Sequence, residues 1–327
     1  MGSVASAAPM FLMTSGVPGD SYYDTVGESY THYYPTCAQA ITTGFSTLQS
    51  LFATQDYKSI QGNLSLCSLP NSISVYTIVK VLKDAFAHIS QFNYPYRNQF
   101  EMAWPVEFLC NTLNTRRVSS VSSWALPLHT ALNLTFNHSA SPVSCFLPNT
   151  LAHPLEAQHL MQLTLNTRLR TMHTPPSTQP PTTTTTALTQ ATTDTTAFMY
   201  TVCTEFFQPQ GGVGIFVYDT TWDYKGILTY CQTLFPGSQP RPYPAPLGQF
   251  SNPTAGNTTN IIFSNGLFDP IRNFSPMKDL STSVVALNVD RMAHCLDINM
   301  QRVGDPTPVT QARSQELSII KGWLSGK

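Results

Sequence analysis

The chain of 327 residues is 42% hydrophobic, which is enough apolar content for one large globular core or two smaller ones. Only 11% of the residues are charged, and 17 basic residues nearly balance 18 acidic ones. This composition lacks the basic field that binds nucleic acid, so no nucleic-acid partner is expected. The sequence contains no apolar run of roughly 18 residues and therefore predicts no membrane span.

The chain opens with the apolar segment MGSVASAAPMFLM, and its first basic residue is Lys58. A secretory signal carries Lys or Arg ahead of its apolar run, so the sequence predicts no signal peptide in this chain.

Helical periodicity dominates from about residue 35 to residue 137. Apolar residues recur there at intervals of three or four, which predicts amphipathic helices that bury one face. The two clearest groups are Ile41, Phe45, Leu48 and Phe52, followed by Val75, Ile78, Val79, Leu82, Phe86 and Ile89.

A Thr- and Pro-rich segment follows at residues 174–197. It offers no apolar face to bury and suits O-glycosylation, so we expect a disordered insert.

The last third of the chain alternates strands with loops that carry chemistry. Residues 260–264 and 283–289 read as buried strands, and a closing helix at 311–324 shows Leu317, Ile320 and Leu324 on one face. Asp269 follows the first strand and His294 follows the second. An acid and then a histidine after successive strands is the order in which an α/β-hydrolase presents two members of its triad, after the nucleophile.

The seven cysteines are widely spaced and include no C-x-x-C pair, which favours disulfides over a metal or redox site. No His, Cys, Asp or Glu cluster has metal-ligand spacing, so no cofactor is expected. Sequons for N-glycosylation agree with an oxidising compartment. Their asparagines are Asn63, Asn133, Asn137, Asn257 and Asn273.

Several motifs together resemble the C-terminal signature of the lysosomal Pro-X carboxypeptidase family, which includes dipeptidyl peptidase II and the thymus-specific serine protease. In the last third they are Phe263-Ser-Asn-Gly266 with Asp269-Pro270, Ala293-His294 with Leu296-Asp297, Asp305-Pro306, Ala312-Arg313, Glu316, Ile320 and Trp323-Leu324. Further upstream they are Ala5-Ser6-Ala7-Ala8-Pro9, Tyr94-Pro95-Tyr96, Trp104-Pro105, Cys110, Tyr200 and Cys203-Thr204-Glu205. The resemblance covers nearly the whole chain apart from the Thr-rich insert.

The resemblance implies an α/β fold, namely the C-terminal part of an α/β-hydrolase sheet with an inserted helical cap subdomain. It divides the chain into a residual hydrolase strand at 1–12, a cap at 13–137 and the C-terminal part of the hydrolase domain at 138–327. It also implies three disulfides, which are Cys37 with Cys110, Cys67 with Cys145, and Cys203 with Cys231. Cys295 would keep its thiol beside the histidine.

By the same resemblance the protein is a serine exopeptidase that acts on peptides with proline near a terminus, in the lysosomal or vacuolar lumen or after secretion. Asp269 would orient His294, and His294 would carry the proton of the nucleophile. Removal of a single C-terminal residue and removal of an N-terminal dipeptide both stay open, and a homodimer is common in the family. The chain departs from the family at Ile271, where the family has Trp, and in Met292-Ala-His-Cys295.

The nucleophile is the largest departure, because the family places its Gly-x-Ser-Tyr-Gly-Gly elbow one helix before the strand at which this chain begins. We therefore expect the serine upstream of Met1 and little activity from this chain alone. Ser29, in Gly27-Glu-Ser29-Tyr-Thr31, is a weaker substitute, because Thr31 and His32 replace the small residues that an elbow needs. We expect Ser29 in a polar turn. The alternative function is a non-catalytic glycoprotein that uses the cap as a binding surface.

Overall fold

The structure is a computed structural model of the chain. It describes residues 3–6, 21–68, 75–97, 102–113, 121–137, 145–146, 197, 200–201, 203–204, 210–220, 224–237 and 259–326.

Helices form most of the first half, and a small parallel sheet combines one strand from the start of the chain with two strands from the second half. The helices are α1 (Tyr22–Tyr33), α2 (Pro35–Ala53), α3 (Tyr57–Leu64), α4 (Val75–Gln91), α5 (Pro105–Thr112), α6 (Leu126–Asn137), α7 (Tyr224–Leu234) and α8 (Thr307–Leu324). The strands are β1 (Ser3–Ser6), β2 (Ile261–Gly266) and β3 (Val284–Val289), and short 3-10 turns occupy Gly214–Phe216 and Pro270–Phe274.

The sheet has the order β1-β2-β3, and both strand pairs are parallel. Strand β2 is therefore central, and its residues from Ile262 to Gly266 are all buried. The prediction of two strands is confirmed, although β2 continues two residues beyond the expected end because Asn265 and Gly266 pair with Asn288 and Val289. A small parallel sheet among helices agrees with an α/β fold.

The helical core consists of side chains from α1, α2 and α4. Ile41, Phe45 and Leu48 of α2 are fully buried, and Phe86 of α4 packs against Phe45 and against Tyr30 of α1. The predicted apolar faces of α2 and α4 are confirmed, except that Val75 at the start of α4 is 38% exposed.

Helix α1 starts well before the predicted helical region. Its apolar residues Tyr22, Tyr23, Val26 and Tyr30 recur at helical intervals and are buried. Small and polar residues that are also buried stand between them, and this mixture hides the helical pattern in the sequence.

The three cysteine pairs that the resemblance implied are present as disulfides. Cys37 joins Cys110, Cys67 joins Cys145, and Cys203 joins Cys231. The first disulfide connects α2 with α5, and its two cysteines are 73 residues apart in the chain.

The predicted apolar face of the closing helix is right at Ile320, which packs against the cluster beside the sheet, and wrong at the two leucines. Leu317 and Leu324 of α8 are 52% and 83% exposed. The helix instead turns Val309 and Ala312 toward the sheet, where they join a cluster with Ile262 and Leu287. Helix α8 starts four residues earlier than predicted, and the added turn supplies Val309 to this face.

A charged group lies inside the helical part. Lys83 of α4 is fully buried and donates to Gly212 O, to Tyr218 O at 3.0 Å and to Thr220 Oγ1 at 2.7 Å. Burial, together with the cation of Lys80, lowers the pKa of Lys83 to about 7. These bonds hold the segment at residues 210–220 against α4.

The sequon asparagines differ in their surroundings. Asn133 is 6% exposed within α6, and the side-chain nitrogen of Asn273 is buried, so neither fits a glycan on the folded chain. The side chain of Asn63 is half-buried and bonds to Ser59 O and Ser122 N. Asn257 and the insert at 174–197, apart from residue 197, lie outside the described residues.

None of the helices in the described ranges is both long and apolar enough to cross a lipid bilayer.

The packing of α2 leads to a test with a matched pair of glycines. A Cβ at Gly44 would lie 2.6 Å from Trp124 O, whereas a Cβ at Gly62 of α3 would meet nothing within 4 Å. We expect Gly44→Ala to lower the free energy of unfolding by about 1–3 kcal/mol, because the added methyl group overpacks the helix contact. Gly62→Ala should raise it by roughly 0.5–1 kcal/mol, because alanine favours the helix. Urea denaturation measures both, and equal effects from the two variants would contradict this packing.

Candidate active site

Asp269 lies in the loop that follows β2. It caps the short turn Pro270–Phe274, where its Oδ1 accepts a hydrogen bond from Ile271 N at 3.0 Å. The next residue, Pro270, has no N–H and fits the first position of such a turn. The carboxyl group is therefore fixed, and its residue is only 2% exposed.

His294 lies in the loop that follows β3, and its backbone is held at two points. Its N–H donates to Gln91 O at 2.9 Å, and its carbonyl accepts from the Tyr94 hydroxyl at 2.8 Å. Both partners come from the end of α4 and the residues just after it. The side chain of His294 is 27% exposed, so one part of the ring is accessible from outside.

The two loops bring the acid and the imidazole into contact. His294 Nδ1 lies 2.8 Å from Asp269 Oδ2. Nδ1 then donates to the carboxylate, and this leaves Nε2 of the neutral ring as a proton acceptor. Burial lowers the pKa of His294, but the charge and hydrogen bond of Asp269 and the contact with Cys295 outweigh it, so the pKa is raised well above 6.5.

A close approach of the two loops makes this contact geometrically possible. A Cβ at Gly266 would lie 2.4 Å from Met292 O, so only glycine fits at the end of β2. Phe268 N also donates to Met292 O at 3.0 Å, and Ser90 Oγ donates to Phe268 O at 2.8 Å. The end of α4 thus contacts the acid-bearing loop as well as the histidine-bearing loop.

Sequence reasoning identified Asp269 and His294 but missed Ser90 and Gln91, which hold their loops. These residues bond to groups about 180 and 200 residues away, and no local pattern marks such a contact. The Tyr94-Pro95-Tyr96 motif was a usable signal, since Tyr94 bonds directly to His294 O.

The structure places Ser29 inside α1, so the predicted polar turn is wrong. Its Oγ donates toward Leu267 O at 2.9 Å and lies 3.3 Å from Thr25 O, and the residue is 2% exposed. A nucleophile elbow is a strand, a sharp turn and a helix, and a helix interior does not provide it. Ser29 instead supports the backbone two residues before Asp269.

An open cavity of about 910 Å³ is lined in part by Ser29 and Leu267. Its charged rim includes Glu28 and Arg272, which form an ion pair at 3.0 Å, and Asp24, which accepts from Gly214 N at 2.6 Å. Asp269 and His294 are not among the described residues that line it.

Across the parts of the chain that the structure describes, no three His, Cys, Asp or Glu side chains come together as a metal site.

Comparisons with known proteins show what the chain as a whole is similar to. Residues 1–316 match the serine carboxypeptidase S28 family. The lysosomal Pro-X carboxypeptidase of Pongo abelii is 26% identical over 99% of this chain, and that of Homo sapiens is 25% identical over 99%. Prolyl carboxy peptidase like protein 5 of Caenorhabditis elegans is 22% identical over the whole chain and 61% of its own length. The chain spans 58% of the length of the first two relatives.

The electrostatics of the pair predict the effect of removing the carboxylate. Asp269→Asn keeps the size of the side chain but removes its charge, so burial then dominates and the pKa of His294 should fall toward or below 6.5. NMR titration of the ¹⁵N-labelled imidazole measures the pKa of His294. Asp290→Asn is the control, because Asp290 lies in the loop that carries His294. An unchanged His294 midpoint in Asp269→Asn would show that the two groups do not interact in solution.

Stability should follow the same titration. The folded-state pKa of His294 lies above its ordinary value of 6.5, so the pair contributes stability that is fully present below pH 6.5 and is lost as the pH rises through the folded-state value. The destabilisation by Asp269→Asn should therefore be larger at pH 5 than at alkaline pH.

Proposed function

The chain belongs to the serine carboxypeptidase S28 family, and from this premise we propose that it carries the acid and the base of a serine exopeptidase. The hydrogen bond of 2.8 Å between His294 Nδ1 and Asp269 Oδ2 is the observation that supports the proposal most directly. In this proposal β2 and β3 belong to an α/β-hydrolase sheet, and the helices between residues 13 and 137 form its cap.

Each group has a distinct role in the proposed reaction. Asp269 holds the imidazole in the tautomer that leaves Nε2 unprotonated and stabilises the imidazolium when it forms. The serine Oγ forms a bond to the scissile carbonyl carbon, and His294 Nε2 takes the proton of that hydroxyl. The same proton then passes to the leaving amine as the peptide bond breaks, and water releases the acyl group in a second, equivalent cycle.

The proposal assigns the nucleophile to a serine outside the 327-residue chain. Ser29 lies inside α1, where its Oγ bonds to the backbone carbonyls of Thr25 and Leu267, and its neighbours do not form an elbow. The relatives are also longer, since this chain spans 58% of their length. A nucleophile contributed by the remaining portion would account for both observations, and the 327-residue chain would then be inactive by itself.

The proposed substrates are peptides with proline near a terminus. The names of the relatives, lysosomal Pro-X carboxypeptidases, favour removal of a C-terminal residue that follows proline over removal of a dipeptide. Three disulfides and the same names favour a lysosomal lumen or a secreted location. A homodimer stays a prediction from the family resemblance.

Peptide cleavage by a form that includes the upstream serine tests the proposal. We expect release of phenylalanine from a peptide ending in Pro-Phe and much slower release from one ending in Ala-Phe. His294→Ala should lower kcat by roughly 10⁴-fold or more, because the proton relay is lost. His32→Ala, which removes an exposed histidine of α1, is the control, and EDTA should leave the rate unchanged because the triad uses no metal. Full activity of His294→Ala would refute the assignment of the base, whereas no peptide cleavage by the wild-type extended form would favour a glycoprotein that only binds.

Active-site labelling tests where the nucleophile lies. The 327-residue chain should not react with a fluorophosphonate probe, whereas the extended form should, because the hydroxyl needs to lie about 3 Å from the imidazole. Labelling of the short chain that disappears in Ser29→Ala would instead make Ser29 the nucleophile.

A further inference from the structure

One arginine of helix α8 forms hydrogen bonds to the loop that carries His294. Arg313 Nε donates to Asp297 O at 2.7 Å, and its Nη2 donates to Leu296 O at 2.7 Å. Its Nη1 forms an ion pair with Asp305 Oδ2 at 2.6 Å, and only 16% of the Arg313 side chain is exposed. The two carbonyls belong to the second and third residues after His294, so the guanidinium fixes the backbone on that side of the histidine.

Glu316, almost one turn further along α8, faces the same loop. The residue is 7% exposed, and its carboxyl group interacts electrostatically with Asp297 and with Ser264 of β2, which is also buried. Asp297 is 3% exposed. Two carboxyl groups that interact at a buried site resist ionising together, so we expect one of them to hold a proton.

The site favours Glu316 as the proton carrier. Burial and then the charge of Asp297 raise the pKa of Glu316 to about 7, against the lowering effects of Ser264 and Arg313. Glu316 Oε1 is buried and receives no hydrogen bond from any described residue, so an ionised carboxylate would lack a donor at that oxygen.

We propose that Arg313 and Glu316 are positioning residues for His294, and that Glu316 acts as a neutral acid that donates a hydrogen bond to Asp297. Arg313 fixes the loop backbone, and the shared proton fixes the Asp297 side chain against α8. That His294 is a catalytic base rests on the proposed function, whereas the shared proton does not depend on it.

The charged groups around Glu316 are few and can be named. Strand β3 contributes no ionisable side chain, and β2 contributes only the Ser264 hydroxyl. The loop after β3 supplies Asp297 and Asp305, α8 itself supplies Arg313, and Tyr96 faces the ion pair of Arg313 and Asp305.

The raised pKa sets the direction of the pH dependence. The folded chain keeps the Glu316 proton up to about pH 7, whereas an ordinary glutamate loses it near 4.5. The stability that this proton contributes is therefore fully present below pH 4.5 and is lost as the pH rises through 7. Above that pH the carboxylates of Glu316 and Asp297 repel each other where α8 meets the loop that carries His294.

A direct titration of the full chain tests the shared proton without any activity assay. Glutamate labelled with ¹³C at the carboxyl carbon gives one NMR signal per residue, and the signal lost in Glu316→Gln assigns Glu316. We expect its midpoint near pH 7 in the wild-type chain and a shift toward 4.5 in Asp297→Asn. A wild-type midpoint near 4.5 would overturn the proposal.

Thermal unfolding at pH 5 and pH 8 provides a second measurement. The melting temperature of the wild-type chain should fall between these values by more than that of Glu316→Gln, because glutamine stays neutral at both. Glu28→Gln, at a side chain that is 66% exposed, should keep the wild-type difference. Equal pH dependence of wild type and Glu316→Gln would contradict the proposal.

The positioning role is tested in the form that includes the upstream serine. Arg313→Ala should lower kcat at least tenfold with little change in KM, and Arg313→Lys should recover part of the loss. Equal loss in both variants, or a loss only in KM, would contradict positioning. An inactive wild-type enzyme would defeat the proposed function while the Glu316 titration still decides the shared proton.

Discussion

The C-terminal end of α4 is the constraint on which the candidate site depends. Gln91 O accepts the N–H of His294, and Ser90 Oγ donates to Phe268 O, one residue before the candidate acid. Two loops that follow different strands are thus held by hydrogen bonds to the end of one helix. The distance of 2.8 Å between imidazole and carboxylate follows from these backbone contacts, because each side chain is short compared with the loop that carries it.

Long-range contacts explain which features the sequence could predict and which it could not. Strands β2 and β3 and the apolar faces of α2 and α4 follow from local periodicity, so they were predictable. The order acid, strand, histidine was predictable too, because both residues follow strands that pair with each other. The face of α8 was not, since it is formed by buried Glu316 and partly buried Arg313, whose partners lie in other segments. Helix α1 was hidden for the same reason, because Thr25 and Ser29 are buried.

Buried charges recur through the molecule although the chain as a whole carries few charges. Lys80 pairs with Asp84 at 2.7 Å inside the helical part, and Arg313 pairs with Asp305 beside the sheet. Removal of one partner from such a pair leaves an uncompensated charge and costs about 3–5 kcal/mol. Lys83 and Arg313 also bond to backbone carbonyls of distant segments. In both places a basic side chain from a helix bonds to the backbone of an irregular segment, in addition to the apolar packing of residues such as Phe216 and Leu296.

The first two disulfides interleave along the chain, since Cys67 lies between Cys37 and Cys110, and Cys110 lies between Cys67 and Cys145. Every peptide bond from Cys37 to Cys145 is therefore spanned by at least one covalent crosslink. A single backbone cut anywhere in this region leaves both pieces attached to each other. The helical part could thus be nicked in a compartment rich in proteases and still migrate as one species until the disulfides are reduced.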